Sequence, residues 1–197
     1  YLGVKLTSDL SWNHHIEAIS ADTSRTLGVL RRNLRPAPPT VRKLAYDTLI
    51  RPKLEYAASI WNPHQGYLIN HLEAIQNRAN RFILSTYDNS ISVSALKSQL
   101  TLSSLQLRRN VSQLCLLHKI YYHCPDLKTA SLSPPDRTSS RLNNACAIKR
   151  ISGSTNAFNR SFLPQAINDW NSLPSSIVTI VDPNAFKSSL QLHFLCC

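Results

Sequence analysis

The sequence is poor in glycine, aromatic residues and acidic residues, and it contains no methionine. Only 4 of its 197 residues are glycine and 8% are aromatic, which argues against a β-sandwich built on many tight turns. No apolar run approaches the ~20 residues that a membrane-spanning helix needs, so we expect no contact with a membrane. The first residues lack the basic start, the apolar stretch and the small-residue cleavage site of a signal peptide, so we expect none.

Motifs for catalysis are also missing. The sequence has no glycine-rich phosphate-binding loop, no G-x-S-x-G, no H-E-x-x-H, and neither D-x-D nor an adjacent aspartate pair. Two-metal phosphoryl transfer needs carboxylates that cluster around the ions, whereas the acidic residues here are scattered along the chain. We therefore predict no catalytic residue, no metal site and no cofactor within this chain.

Positive charge is what the sequence has in excess. Lys and Arg number 22 against 11 Asp and Glu, which gives a formal net charge of +11. The excess is concentrated between residues 25 and 53, where Asp47 is the only acid. The basic residues of this stretch are Arg25, Arg31, Arg32, Arg35, Arg42, Lys43, Arg51 and Lys53. Such an imbalance is typical of a surface that meets nucleic acid or an anionic membrane surface, although a solvated helical face has the same composition.

The cysteines are five, an odd number, and none is spaced as C-x-x-C. Without a secretory context we expect reduced thiols in an intracellular compartment. Cys196 and Cys197, in the terminal LHFLCC, could begin a zinc module, but two adjacent cysteines carry too little spacing information to predict one.

Hydrophobic periodicity predicts one strand followed by helices. Residues 1–6 alternate between two faces, as in a strand. From about Asn13 to Leu34 apolar residues recur at three- and four-residue steps, which predicts an amphipathic helix that the following prolines end. Further helices are expected after Thr40 (with a kink or break at Pro52), over Leu68 to Phe82, from Ser92 to Leu100, and from Ser103 or Ser104 to Tyr121.

The composition of the sequence changes after Cys124. Prolines with many Ser and Thr residues predict a loop, and residues 142–151 look strand-like and could belong to a strand pair. SFLPQAINDWNSLP and the end of the chain predict two short helices. The predicted fold class is therefore mainly α, a helical bundle preceded by one strand, with a small α+β C-terminal extension. We place the boundaries of these three parts at residues 1–12, 13–124 and 125–197.

The tryptophans and the paired histidines have two interpretations each. Trp12, Trp61 and Trp170 could stack on bases, but each lies beside a predicted helix boundary, where a tryptophan more often anchors a core. His14 and His15 do not form a metal clasp, because adjacent residues of a helix point in different directions.

Several phrases, taken in order, carry a resemblance that covers nearly the whole chain. They are YLGVKLTSDLSWNHHI, TLGVLRRNL, LAYDTLIRPKLEYAASIWNPH, LEAIQNRANRFIL, SSLQLRRNVSQLCLLHKI, SFLPQAINDWNSLP and FKSSL. No single phrase would suffice, whereas the ordered set is specific. It resembles the C-terminal part of the reverse transcriptase of non-LTR (LINE-type) retrotransposons, in the jockey-like branch.

The resemblance implies a role for each part of the chain. Tyr1, Leu2 and Gly3 match the primer-grip strand, so residues 1–12 would be the tail of the polymerase palm. Residues 13–124 would form a thumb-like domain, and residues 125–197 a C-terminal extension whose role we do not predict. In the family the metal-binding aspartates lie upstream of this region, so we expect the chain to be an inactive fragment.

The resemblance also implies partners. The basic residues would hold the phosphates of an RNA and DNA template–primer duplex through charge and shape. The predicted nucleic-acid-binding residues are Arg31, Arg32, Arg35, Arg42, Lys43, Arg78 and Arg81. The parent enzyme would use Mg²⁺ and dNTPs, contain the palm and fingers in the same polyprotein, and work as a ribonucleoprotein in the cytoplasm and nucleus.

Three alternatives stay open. The chain could be a stand-alone basic helical module that binds nucleic acid, although a lone first strand without a partner argues against it. It could be a protein-interaction domain whose basic face meets an acidic partner. It could also be the translation of a decayed element, in which case it would fold poorly alone and expose apolar surface.

Overall fold

The computed structural model describes residues 2–9, 11–88, 91–137 and 144–196, and over these residues the fold is mainly α. The helices are α1 (Asn13–Asn33), α2 (Pro39–Ala45), α3 (Arg51–Glu55), α4 (Gly66–Leu84), α5 (Val93–Gln99), α6 (Leu105–His123), α7 (Pro125–Ser131), α8 (Asn156–Asn159), α9 (Phe162–Ser172), α10 (Ser175–Val178) and α11 (Pro183–Cys196). Contacts divide the chain into two compact units, Tyr1–Arg108 and Arg109–Cys197, and the division falls within α6. The predicted boundaries at residues 12 and 124 stay predictions.

The first unit is built on the packing of α1 against α4. The Tyr67 hydroxyl donates to Asn13 Oδ1 at 2.6 Å, and eleven residues further along both helices Arg78 Nη2 donates to Ser24 Oγ at 3.2 Å. The two helices therefore run in the same direction, and their C-terminal ends lie on the same side of the unit. The predicted apolar stripe of α4 is confirmed, because all five of its residues are buried: Leu68, Leu72, Ile75, Ala79 and Phe82.

A π-helical segment, Tyr46–Ile50, joins α2 to α3. The backbone N–H of Arg51 donates to the Tyr46 carbonyl, five residues back, and Pro52 then follows without an N–H of its own. The predicted kink or break at Pro52 is thus a widened helical turn just before the proline. This turn keeps Tyr46 and Ile50 in the core, at 1% and 0% exposure.

The predicted first strand is not seen. Leu2 and Gly3 have φ values of 46° and 80°, which belong to a turn, and residues 4–6 form no ladder. A strand needs a neighbouring strand to satisfy its backbone, and the described residues contain none. The segment is instead held by Val4 in the core and by the Tyr56 hydroxyl, which donates to the Leu2 carbonyl at 3.0 Å.

The predicted α+β extension is not seen either, since residues 144–151 form no strand. Side chains of helix α9 form the hydrogen bonds with the backbone of this segment that a neighbouring strand would otherwise form. Asn171 of α9 accepts from the Ile148 N–H at 2.9 Å and donates to the Ile148 carbonyl at 2.7 Å. Trp170 Nε1 donates to the Cys146 carbonyl at 2.9 Å. The beginning of the predicted strand lies outside the described residues, and so does Cys197 of the terminal LHFLCC.

The predicted loop after Cys124 is helical over its first seven residues, as α7. Pro125 occupies the first position of this helix, where its fixed φ is suitable and its missing N–H costs nothing. The proline therefore starts a helix here, and the prediction of a loop from Pro125 is wrong over these seven residues.

The core of the second unit gathers aromatic rings around Trp170, which has 0% exposure. The His118 ring stacks on Phe186 with 4.2 Å between centroids, and its Nε2 lies 2.8 Å from the Ile180 carbonyl. Trp61 of the first unit is also fully buried, and its Nε1 donates to the Tyr56 carbonyl at 2.7 Å. The prediction that tryptophans anchor the core is confirmed for these two.

Candidate nucleic-acid interface

Four arginines line a cavity of about 820 Å³ in the first unit, here called the arginine cavity. Its described lining consists of Gly28, Arg31, Arg32, Arg35, Arg42, Phe82, Ser85 and Tyr87. Four of the seven residues predicted to bind nucleic acid therefore meet at one place. No carboxylate belongs to this described lining, so the cavity is a region of positive potential.

Arg42 shapes the cavity because its guanidinium group hydrogen-bonds to the chain at the C-terminal ends of both α1 and α4. It is 7% exposed, and its Nε donates to the Leu34 carbonyl at 3.2 Å and its Nη2 to the Arg35 carbonyl at 2.9 Å. Its Nη1 donates to the carbonyls of Phe82 and Ile83 at 3.0 and 3.2 Å. The guanidinium thus satisfies carbonyls that helix ends leave without an intrahelical partner.

Ser85 explains how α4 ends beside Arg42. It has a left-handed conformation (φ 53°), in which glycine is usual, and the N–H of Thr86 closes the turn by donating to the Arg81 carbonyl at 3.0 Å. A glycine would relax the backbone, but it would lack the hydroxyl that accepts a hydrogen bond from Arg42 Nη1. The side chain therefore accounts for a serine where the backbone favours glycine.

Tyr87 follows this turn and lies at the cavity. The guanidinium carbon of Arg31 sits over its ring, 5.6 Å from the centroid, in a cation–π contact. Arg81 Nη1 donates to the Asp88 carbonyl at 2.7 Å, which holds the chain just after the tyrosine. More than half of the Tyr87 side chain, 57%, stays exposed. The cavity therefore combines cations with an accessible aromatic ring.

Arg31, Arg32 and Arg35 are exposed and form no ion pair within the described part of the chain. Arg31 and Arg32 belong to the last turn of α1, where the negative end of the helix dipole favours a cation. Gly28 lies one turn earlier, where an added Cβ would lie 3.7 Å from Arg32 Nη1. These three guanidinium groups are consequently available to an anion from outside.

Three further cations of the basic stretch lie beside carboxylates. Lys53 Nζ lies 2.6 Å from Asp22 Oδ2, and Arg51 Nη1 lies 2.8 Å from Asp47 Oδ1. Arg25 pairs with the same Asp22 at 3.4 Å. The sequence shows a run of positive charge, but the fold pairs three of its cations with carboxylates and places four of its arginines at the cavity.

The remaining predicted binding residues lie outside the described lining of the arginine cavity. Lys43 is half-buried on α2, and Arg78 on α4 donates to Ser24 of α1. Arg81 contacts the loop after α4 rather than the cavity. The primer-grip-like residues Leu2 and Gly3 form the turn described above, also outside this lining, and Tyr1 is outside the described residues.

Tyr87 is the functional candidate that sequence reasoning missed. The sequence feature that could have identified it is an aromatic residue within the polar connection STYDNS between α4 and α5. An aromatic residue in a polar connection has no periodic apolar partners, so periodicity alone did not single it out.

Within the residues that the structure describes, no group of three or more His, Cys, Asp or Glu side chains is placed to hold a metal ion. Several acids are ion-paired instead, as Glu73 is with Lys97 at 2.6 Å and Glu55 with Arg108. None of the described helices is long and apolar enough to cross a membrane.

The fold and the arginine cavity together define a mainly helical chain with a basic, aromatic-edged cavity. Comparisons with protein-family models, with curated proteins and with solved structures found no match for the chain.

Proposed function

We propose that this chain belongs to the reverse transcriptase of a non-LTR retrotransposon and contributes template–primer binding through the arginine cavity. The ordered sequence phrases support the family, and the three unpaired arginines Arg31, Arg32 and Arg35 support the binding role. These guanidinium groups contact phosphates of an RNA–DNA duplex, which sets register and affinity without selecting a sequence. The parent ribonucleoprotein works in the cytoplasm and nucleus.

The polymerase chemistry belongs to other parts of the parent protein. Upstream carboxylates and Mg²⁺ carry nucleotide transfer there, and this chain alone transfers no nucleotide. In the parent, residues 2–6 pair with a strand of the palm. The exposure of Leu2 and Leu6, 72% and 61%, supports this, because two apolar side chains in one short segment are left without cover.

Duplex binding tests the proposal. The 197-residue chain is titrated with an RNA–DNA hybrid at several salt concentrations, beside the triple variant Arg31→Ala, Arg32→Ala, Arg35→Ala. Each phosphate contact contributes about 0.9 to the slope of log K against log salt, so the variant is expected to lower the slope by about 2 to 3. Its affinity at low salt is expected to fall at least roughly tenfold.

A charge-matched triple variant serves as control. Lys119→Ala, Arg160→Ala, Lys187→Ala removes three cations that are also exposed but belong to the second unit. It is expected to keep most of the affinity. Equal losses in the two triple variants would mean that total charge, not the arginine cavity, binds the duplex.

Two further observations separate the alternatives. An aspartate pair encoded a few dozen residues upstream of Tyr1 would favour the polymerase over a stand-alone module. If an acidic polypeptide such as polyglutamate displaced the hybrid at equal charge concentration, the protein-interaction domain would be favoured.

A further inference from the structure

The arginine cavity has a feature that phosphate binding does not require. Phosphates are held by cations, whereas Tyr87 offers an exposed aromatic ring at the same cavity. The cation–π contact with Arg31, at 5.6 Å, orients that ring against α1 while 57% of the side chain stays accessible. An oriented aromatic ring beside unpaired cations is what a nucleobase joined to phosphate would contact.

We propose that the arginine cavity holds an unpaired nucleotide of a single strand, with its base stacked on Tyr87 and its phosphates on Arg32 and Arg35. This inference rests on the proposed function and specifies which part of the nucleic acid the cavity holds. A base inside a duplex has both faces covered by its neighbours, so only an unpaired base can present a face to the tyrosine. A volume of about 820 Å³ lies within the range of about 300 to 1,000 Å³ for ligand sites.

The spacing of the arginines favours a strand over a free nucleotide. Arg31 and Arg32 are adjacent in the last turn of α1 and therefore point in different directions, and Arg35 lies just beyond the C-cap Leu34, so the three cations line the cavity from different positions rather than converging on one point. Arg42 adds no further free cation, because its donors are taken by carbonyls of α4 and of the chain after α1. Successive phosphates of a strand fit such a row of cations.

The test compares three oligonucleotides on the full chain: a single strand with bases, an abasic strand of the same length, and the RNA–DNA hybrid. Stacking on one aromatic ring is expected to make the strand with bases bind about tenfold more tightly than the abasic strand. Tyr87→Leu is expected to reduce this ratio to about one, and Tyr87→Phe to preserve it, because phenylalanine keeps the ring. Hybrid binding stays unchanged in both variants.

Tyr67→Leu is the matched control, since Tyr67 is likewise exposed (61%) but lies outside the described lining of the cavity. This variant is expected to keep the affinity ratio between the strand with bases and the abasic strand. Circular dichroism of each variant confirms that the helices remain formed.

The outcomes separate this inference from the proposed function. If the hybrid binds through the three arginines but the strands with and without bases bind equally, the stacking site is wrong and the proposed function stands. A ratio that survives in Tyr87→Leu also overturns the inference, because the bases then stack elsewhere. If neither the hybrid nor a single strand binds, both proposals fail.

Discussion

At the residue scale, arginines of the same cavity have opposite surroundings. Arg42 is buried and surrounded by carbonyls, whereas Arg35 is exposed and without an ion pair in the described part of the chain. The same side chain therefore serves the fold at one position and is free for a ligand at another. Substitutions at the two positions should consequently affect different properties, stability for Arg42 and binding for Arg35.

Arg42→Ala is predicted to destabilise the chain by about 3 kcal/mol, because several carbonyls at helix ends lose a charged donor. The measurement is the free energy of unfolding in urea. Lys43→Ala on the same helix is the control, and it should change stability by less than about 0.5 kcal/mol, as surface substitutions usually do. Equal stability of the two variants would show that Arg42 does not hold the helix ends.

His15 is a second residue whose surroundings lead to a measurable effect. It is 2% exposed, and its Nδ1 accepts the N–H of Lys5 at 3.3 Å, so the neutral ring carries its proton on Nε2. Burial lowers the pKa of His15, and the positive charge of Lys5 lowers this pKa further. Burial also lowers the pKa of His118 in the second unit.

Stability is therefore predicted to fall with acidification. The unfolded chain takes up a proton near the ordinary histidine pKa of about 6.5, whereas the folded ring resists it, so stability present above this pH is lost below it. Urea unfolding at several pH values between about 7.5 and 5 measures the loss. His15→Asn should flatten the pH dependence, while the exposed neighbour variant His14→Asn should follow the unsubstituted chain. A curve for His15→Asn as steep as that of His14→Asn would contradict the assignment.

At the element scale, the second unit joins an extended segment to a helix through side-chain amides. Asn171 satisfies both backbone groups of Ile148, and Asn144 Nδ2 donates to the carbonyls of Trp170 and Leu173 at 2.8 and 3.1 Å. Asn159 repeats the arrangement with the N–H and carbonyl of Gly153, at 2.8 and 2.9 Å. Asparagine can do this because its amide both donates and accepts, as a neighbouring strand would.

Asn171→Ala is predicted to cost about 2 kcal/mol of stability, because it leaves the N–H and the carbonyl of buried Ile148 without partners. Thermal unfolding followed by circular dichroism measures this. Asn168→Ala is the matched control on the exposed side of α9, where alanine should be neutral or slightly stabilising through its helix propensity. If the two variants melted together, the amide contacts would contribute nothing to the second unit.

At the scale of the whole molecule, the net charge of +11 opposes compaction. Surface ion pairs such as Lys53 with Asp22 recover little of this energy, since exposed pairs contribute at most about 1 kcal/mol each. Salt that screens the charge repulsion should therefore stabilise the folded chain by more than it destabilises the chain through weaker ion pairs.

Raising NaCl from about 0.01 M to about 0.15 M shortens the screening length from about 30 Å to about 8 Å and is predicted to raise the melting temperature. The triple variant of Arg31, Arg32 and Arg35 has a net charge of +8 (11 − 3), so its melting temperature should respond less to salt. A melting temperature that falls with salt would mean that ion pairs outweigh the repulsion.

The sequence by itself determined the longer helices and the concentration of positive charge. Residues that share a helix face are set by a local period, so the stripe from Leu68 to Phe82 could be predicted from the printed letters. The concentration of positive charge that includes Arg31, Arg32 and Arg35 can likewise be seen in the sequence. The end of α1 is also a local effect, because the prolines that follow it cannot continue a helix.

The tertiary structure alone decided which groups meet. Arg42 contacts carbonyls 40 and 41 residues away, and the amide of Asn171 satisfies the backbone of Ile148 in place of a neighbouring strand. Tyr87 reaches the arginines because α1 and α4 run in the same direction and end on the same side. Such pairings depend on how elements distant in sequence pack, and no local period encodes that packing.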